Sequence, residues 1–223
     1  MGTTNSARLR ERIELGLPAL DEAGEALVAH PKYTLLYPQQ LLMIHWMVRA
    51  SVPLMEAAYC QIERKTERVD SDAEVAKYYV QHILEEKGHD EWLISDLEVL
   101  GLARDEVLYQ MPSSNIAAGV GAQYYWINHY DPIALLGYIA LLEGYPPTEA
   151  RVQSLIDRSG LPKAAFRTFV KHAALDRQHK ADLDILLDSC AFTDRDIATM
   201  GTSALFTIAC VTKELRLLVD RIE

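Results

Sequence analysis

Two stretches of the sequence repeat the same order of metal-binding side chains, and this order favours a helical chain. The first stretch holds Glu56, Glu86 and His89, and the second holds Glu143, Asp176 and His179. A carboxylate and a histidine three residues apart lie on one face of a helix, so both can point at one metal. Two lone carboxylates and two such pairs, each from its own helix, form the ligand set of a di-iron or di-manganese centre. The repeat therefore predicts a helical bundle built around a pair of metals.

The rest of the sequence is also typical of helices, because its apolar residues recur at spacings of three and four and no segment alternates as a strand would. Pro18 is expected to interrupt the first helical stretch and Pro53 to kink the second. Asp131-Pro132 predicts a helix start and Gly101 a helix end. The predicted helical segments are 7–29, 39–65, about 70–100, 115–129, 131–143, 148–159, 162–189 and 194–221, with loops at 30–38 and around Pro112.

Composition limits the classes of protein to which the chain can belong. With 223 residues, 49% of them hydrophobic, and no break in composition, we expect one domain over 1–223 with a sizeable core. A net charge of -10 argues against nucleic acid and anionic membranes as partners. The cysteines are Cys60, Cys190 and Cys210, with no CxxC, which favours a reduced, cytoplasmic setting. No secretory signal and no apolar run of transmembrane length is visible in the sequence.

The third predicted helix carries four candidate ligands within two turns: His82, Glu85, Glu86 and His89. His82 and His89 share a face, and Glu85 or Glu86 lies between them. Which of His82, Glu85 and Glu86 binds metal stays open at this point. A charged, solvated helix face is the alternative interpretation, because Lys87, Asp90 and Glu91 follow. Gly88 lowers helix propensity there by roughly 1 kcal/mol, and a close approach of backbone or ligand would explain why it is tolerated.

The later helix holds His172, Asp176 and His179 in a single stripe, with apolar neighbours on the same side. A buried histidine or aspartate is costly unless it is paired or bound to metal. Glu143 is the one charge in the apolar run 135–143, and Glu56 lies in similarly apolar surroundings. Each carboxylate could instead face solvent at a helix edge. The matched order of all these residues favours the metal site.

The ligand types indicate iron or manganese, because hard carboxylates and imidazoles suit these metals and a carboxylate can bridge two of them. Thiolates are absent from the set, which argues against a structural zinc site. Weaker candidates for a substrate pocket are aromatic residues and one histidine, although aromatics at helical spacing are usually packing. These candidates are Tyr124, Tyr125, Trp126, Tyr138 and His45, the last of which shares a face with Glu56.

The run from His82 to Trp92, the Leu142-Glu143-Gly144 segment and the His172-x3-Asp176-x2-His179 element resemble the haem-oxygenase-like non-haem di-iron oxidases and oxygenases, over roughly residues 40–190. The resemblance implies an all-α, haem-oxygenase-like bundle of about seven helices that holds no haem. It implies two Fe2+ per chain, one of them labile, and O2 as co-substrate. The ligands that it implies are Glu56, Glu86, His89, Glu143, His172, Asp176 and His179. Some relatives have a carboxylate seven residues before the histidine of the third helix, where this chain has His82.

The function expected from these observations is O2-dependent oxidation of a small organic substrate that resembles an amino acid or a fatty acid. A homodimer would be compatible with the expectation. The first alternative is a ferritin-like protein that stores or oxidises iron without an organic substrate. The second is a metal-free member of the same fold, either a thiaminase-like enzyme or a binding protein. A thiaminase-like enzyme needs a nucleophilic cysteine in its site, and none of the three cysteines lies within the ligand stretches.

Overall fold

The computed structural model describes residues 2–221, and these residues are almost entirely helical. Eleven α-helices and one 3-10 turn occur within that range, and no strand does. No helix among the described residues is long and apolar enough to cross a membrane. The helices are α1 (Asn5–Glu14), α2 (Leu17–Ala29), α3 (Tyr33–Arg64), α4 (Asp70–Glu86), α5 (His89–Val99), α6 (Arg104–Tyr109), α7 (Ser114–His129), α8 (Ala134–Leu142), α9 (Glu149–Ser159), α10 (Arg167–Ser189) and α11 (Asp194–Asp220), and the 3-10 turn spans Lys163–Phe166.

The all-α prediction is confirmed, but the described helices are more numerous than the eight predicted segments and the seven or so that the resemblance implied. Helix α6 lies in a stretch for which no helix was predicted. The predicted loop at 30–38 is wrong over most of its length, because α3 already begins at Tyr33 and contains Pro38. Tertiary packing explains this early start. The Tyr37 ring stacks on Phe166 with centroids 4.4 Å apart, and its hydroxyl donates a hydrogen bond to the Ala165 carbonyl at 2.9 Å.

Helix α8 lies in the middle of the bundle, with every residue from Ala134 to Leu141 buried. It packs closely on α11, because a Cβ on Gly137 would collide with the carbonyl group of Met200. The chain leaves the helix at Glu143, whose backbone N–H caps it by donating to the Ile139 carbonyl at 3.0 Å. The Glu143 carboxylate therefore lies at the end of a buried helix, close to α4 and α10.

The third predicted helix, 70–100, is divided in two at Lys87 and Gly88, so the expectation of one continuous helix there is wrong. Gly88 has a φ of +90°, the left-handed region that a side chain disfavours. The space around Gly88 is open, with no atom within 4 Å of an added Cβ. Backbone conformation, not a close approach of neighbouring backbone, therefore explains the glycine. Glu86 ends α4 and His89 begins α5.

Candidate metal centre

Four side chains from three separate parts of the sequence converge into one cluster. His82 and Glu86 come from α4, Glu143 from the end of α8, and His179 from α10. Their nearest potential ligand atoms all lie within 4.8 Å of one another. Such a set could hold a metal ion.

Within the cluster, the imidazoles face carboxylate oxygens at short range. His82 Nε2 lies 2.8 Å from Glu143 Oε1. His179 Nδ1 lies 3.6 Å from Glu143 Oε2 and 3.7 Å from Glu86 Oε1. The rings of His82 and His179 meet edge-on, with centroids 4.8 Å apart. The inner nitrogens of both rings, His82 Nε2 and His179 Nδ1, therefore face Glu143, and that of His179 also faces Glu86.

A second group of potential ligands, His89, His172 and Asp176, lies beside the first. His89 Nδ1 lies 3.0 Å from Glu86 Oε1, and His172 Nδ1 lies 3.0 Å from Asp176 Oδ1. The His89 and His172 rings meet edge-on at 5.1 Å. Glu86 contacts His89 of this group and His179 of the cluster, so its carboxylate links the two sets of side chains.

Burial and mutual charge shift the proton affinities of these groups. Burial disfavours the charge on His82, but the carboxylates of Glu143, Glu86 and Glu85 outweigh it and raise the pKa of His82 to about 9. Burial raises the pKa of Glu143, and the charge on His82 opposes that shift. For Glu86, burial is outweighed chiefly by His89, so its pKa is lowered. In the same way Asp176 outweighs burial at His172 and raises its pKa.

Several polar atoms at the site are buried and make no well-aligned hydrogen bond among the described residues, although Glu86 Oε1 and His89 Nδ1 lie 3.0 Å apart as an ion pair. These polar atoms are Glu86 Oε1, Glu143 Oε2, His89 Nδ1, His172 Nε2 and His179 Nδ1. An unsatisfied buried polar atom is costly, and a cluster of them requires an explanation. Carboxylate oxygens and imidazole nitrogens facing a common space fit iron or manganese, and no thiol belongs to the set.

Glu85 has a different position from the rest of the group. Its side chain is 32% exposed and lies on the outer side of the cluster. Glu85 Oε2 lies 3.3 Å from His82 Nδ1 and 3.9 Å from His179 Nε2, which are the outer nitrogens of both rings. Glu85 Oε1 accepts a hydrogen bond from Gln81 Nε2 at 2.7 Å.

Glu56 is the one residue of the duplicated spacing that the structure brings neither to the four-residue cluster nor to the group beside it. On α3 the preceding residues Leu54 and Met55 are buried, which turns Glu56 outward, where it is exposed. Its charge acts on Tyr124 of α7. Equal spacing along the sequence places a residue on a helix but does not fix which way that helix is rotated about its axis.

The expected pocket residues likewise lie elsewhere. Tyr124 and Tyr125 are exposed on α7, and Trp126 packs edge-on against Phe206. Tyr138 is buried beside a cavity of about 10 Å³, too small for an organic substrate. His45 is fully buried in α3. In the part of the chain that the structure describes, none of the five makes a hydrogen bond, ion pair or ring contact with the cluster.

Two aromatic residues that sequence reasoning missed do contact it. Tyr78 stacks on His82, with centroids 5.2 Å apart, and its hydroxyl is buried without a described hydrogen-bond partner. Trp92 stacks against His89 at 3.9 Å, and Lys171 Nζ lies 3.7 Å from the centre of its ring. Tyr78 stands four residues before His82, and Trp92 stands three residues after His89. Helical spacing from a candidate ligand histidine could therefore have identified both aromatic residues in the sequence.

An all-helical bundle with a buried cluster of histidines and carboxylates is a candidate metal-binding protein, and its sequence matches a known family. The family described as "Iron-containing redox enzyme" matches residues 48–207. The chain belongs to this family of iron-containing redox enzymes. No curated protein sequence matches the chain.

Solved structures show that the fold is haem-oxygenase-like. A domain of unknown function with a heme oxygenase-like fold from Shewanella denitrificans is 15% identical, with a TM-score of 0.66 over 93% of this chain and 91% of that one. A TenA homolog from Pseudomonas syringae pv. tomato is 9% identical, also with a TM-score of 0.66, over 93% of this chain and 92% of that one. At these identities the likeness concerns the fold alone. It confirms the fold expected from the resemblance.

Proposed function

We propose that this chain is a non-haem di-iron enzyme that uses O2 to oxidise a small organic substrate. The observation that carries the proposal is the convergence of His82, Glu86, Glu143 and His179 within 4.8 Å, with unsatisfied buried oxygens and nitrogens at its centre. Membership of the iron-containing redox family supports iron as the metal.

The proposed ligands fall into two groups joined by Glu86. His82, Glu143 and His179 would hold one iron, and His89, His172 and Asp176 would hold the other. Glu86 contacts His89 at 3.0 Å and His179 at 3.7 Å, which suits a carboxylate shared between the two groups. Glu56 is left out of this set because it is exposed.

Iron bound there would supply open coordination positions and electrons for the activation of O2. The protein's own contribution is to hold the donors in a largely dry site, where electrostatic interactions are stronger than in water. Tyr78 and Trp92 cover histidines on the two sides of the cluster. His172, with 19% of its side chain exposed, and Glu85 lie where the site reaches solvent.

The alternatives make different demands on the chain. A thiaminase-like activity would need a cysteine nucleophile, but Cys60 is exposed and burial raises the pKa of Cys190 and of Cys210. None of the three belongs to the cluster. A ferritin-like role would use the same ligands without an organic substrate, so only an experiment on the loaded protein separates it from the proposed enzyme.

Anaerobic titration with ferrous iron tests the proposal, and we expect saturation near two metals per chain. O2 uptake by the loaded protein should then be accelerated by a member of a panel of amino acids and fatty acids. Zero iron bound by folded protein would refute the metal site. Two irons per chain, with a ferric core that accumulates and O2 uptake that no panel compound changes, would favour the ferritin-like alternative.

A further inference from the structure

The two carboxylates at the end of α4, Glu85 and Glu86, are adjacent in sequence but have opposite relations to the histidine rings. Glu86 is buried and its Oε1 lies 3.7 Å from the inner nitrogen of His179, Nδ1. Glu85 is partly exposed and its Oε2 lies 3.9 Å from the outer nitrogen of the same ring, Nε2. The His179 imidazole thus stands between the two carboxylates.

The same division holds for His82. Its Nε2 faces Glu143 at 2.8 Å, inside the cluster, and its Nδ1 faces Glu85 at 3.3 Å, outside it. Glu85 therefore contacts the outer nitrogens of two imidazoles that belong to different helices, α4 and α10.

The contacts of the carboxylates separate them further. Glu86 Oε1 faces His89 Nδ1 at 3.0 Å and His179 Nδ1 at 3.7 Å, and Glu143 Oε2 faces His179 Nδ1 at 3.6 Å, so both oxygens are directed at nitrogens of the proposed ligands. Both oxygens of Glu85 are engaged, because Oε1 accepts from Gln81 Nε2 at 2.7 Å while Oε2 faces the two rings. A partly exposed carboxylate with a hydrogen-bond partner at each oxygen is poorly placed to become a ligand.

We infer that Glu85 is a positioning residue and not a metal ligand, and that it holds His82 and His179 together with their inner nitrogens directed at the metal. This inference rests on the proposed function. A ring N–H donated to a carboxylate fixes the tautomer and orientation of a ligating histidine and raises its basicity. Here one carboxylate orients two ligands, His82 through a hydrogen bond from its Nδ1–H at 3.3 Å, and His179 through the attraction of its charge for the Nε2–H at 3.9 Å, beyond hydrogen-bond distance. Gln81 fixes the carboxylate in turn.

The test compares four variants of the full chain, loaded anaerobically with ferrous iron or with Co2+. Glu85→Ala should still bind the wild-type number of metals, but with affinity about 10- to 100-fold weaker, the usual effect of losing such a partner. Glu85→Gln should lose less, because the amide oxygen can still accept a ring N–H. Glu86→Gln should lose bound metal. Glu74→Gln removes a charge from an exposed position of the same helix and should match the wild type.

A second measurement reports on the rings directly. In the Co2+-loaded protein, the shifted proton NMR signals of the ring N–H groups of His82 and His179 should exchange slowly with water. Glu85→Ala should speed that exchange for these two signals, and Glu74→Gln should leave it unchanged. A purely structural role for Glu85 would not select these two protons.

Three outcomes separate this inference from the proposed function. If the folded wild type binds neither iron nor Co2+, the proposed function fails and the inference fails with it. If the wild type binds two metals and Glu85→Ala loses one, as Glu86→Gln does, Glu85 is a ligand and only the inference is overturned. If Glu85→Ala matches Glu74→Gln in affinity and ring-proton exchange, the inference is overturned while the metal site stands.

Discussion

Glu86 Oε1 and His89 Nδ1 lie 3.0 Å apart although the left-handed residue Gly88 separates the helices that carry them. In a continuous helix, a spacing of three residues alone would bring such a pair together. Here the pair meets across the junction of α4 and α5. The junction lets α5 take its own direction while Glu86 and His89 stay in contact, so the geometry of this proposed ligand pair depends on one glycine.

Gly88→Ala should therefore weaken both folding and iron binding. A left-handed conformation costs an alanine roughly 1–2 kcal/mol, and nothing near the site offers compensation. Urea unfolding should show that loss, and iron affinity should fall as well. Gly24→Ala is the control, since Gly24 lies in α2 with open space around it and should gain up to about 1 kcal/mol from helix propensity. Equal stability of both variants would contradict the role of the turn.

Removing single histidines should empty the site without unfolding the chain. His89→Ala and His179→Ala each delete an imidazole donor, and alanine is well tolerated in helices. Both variants should keep the wild-type circular dichroism and bind fewer irons per chain. His129→Ala, at the exposed end of α7, should retain full iron content. Full iron content in all three variants would mean that the cluster histidines are structural.

The neighbouring tyrosines Tyr78 and Tyr79 should respond differently to loss of the hydroxyl. Tyr79 donates a buried hydrogen bond to the Pro132 carbonyl at 3.1 Å, so Tyr79→Phe should cost about 1 kcal/mol in the metal-free protein. The Tyr78 hydroxyl has no described hydrogen-bond partner, so Tyr78→Phe should stay within about 0.5 kcal/mol of the wild type. Chemical denaturation of the metal-free variants measures both. A larger loss for Tyr78→Phe would reveal a partner for that hydroxyl.

His45 should make the metal-free fold sensitive to acid. Burial, aided by Arg49, lowers the pKa of His45 to about 4 from a usual value near 6.5. As the pH falls from 6.5 towards 4, the His45 imidazole therefore binds a proton in the unfolded chain but not in the folded chain. Stability is lost over that pH range. At pH 5 the loss from this residue is about 2 kcal/mol relative to neutral pH.

The acid sensitivity due to His45 is checked by comparing the wild type with His45→Leu, which removes the titrating ring from a fully buried position. Between pH 7.5 and pH 5, the free energy of unfolding should fall less in the variant than in the wild type. The difference between the two proteins cancels the titration of the remaining groups. Parallel losses in both proteins would show that His45 does not contribute.

The sequence was sufficient to predict the helical class and most of the cluster, because helical spacing and burial cost act locally. His82 and Glu85 stayed undecided, since a sequence shows neither which ring nitrogen faces inward nor which carboxylate is covered. Glu56 matched the repeat but faces solvent, because tertiary packing sets the rotation of α3. The turn at Gly88 was missed, since a glycine inside a helical pattern leaves its φ angle undetermined.

The contact between Gly137 and Met200 limits how far substitutions can alter the site. The main chain of α11 occupies the space that any side chain at position 137 would need, so α8 lies against another backbone and not against a deformable layer of side chains. The position of Glu143, at the end of α8, is therefore fixed by the contact between the main chains of α8 and α11. Substitutions around the site can change what covers the histidines, while the place of this carboxylate in the bundle stays the same.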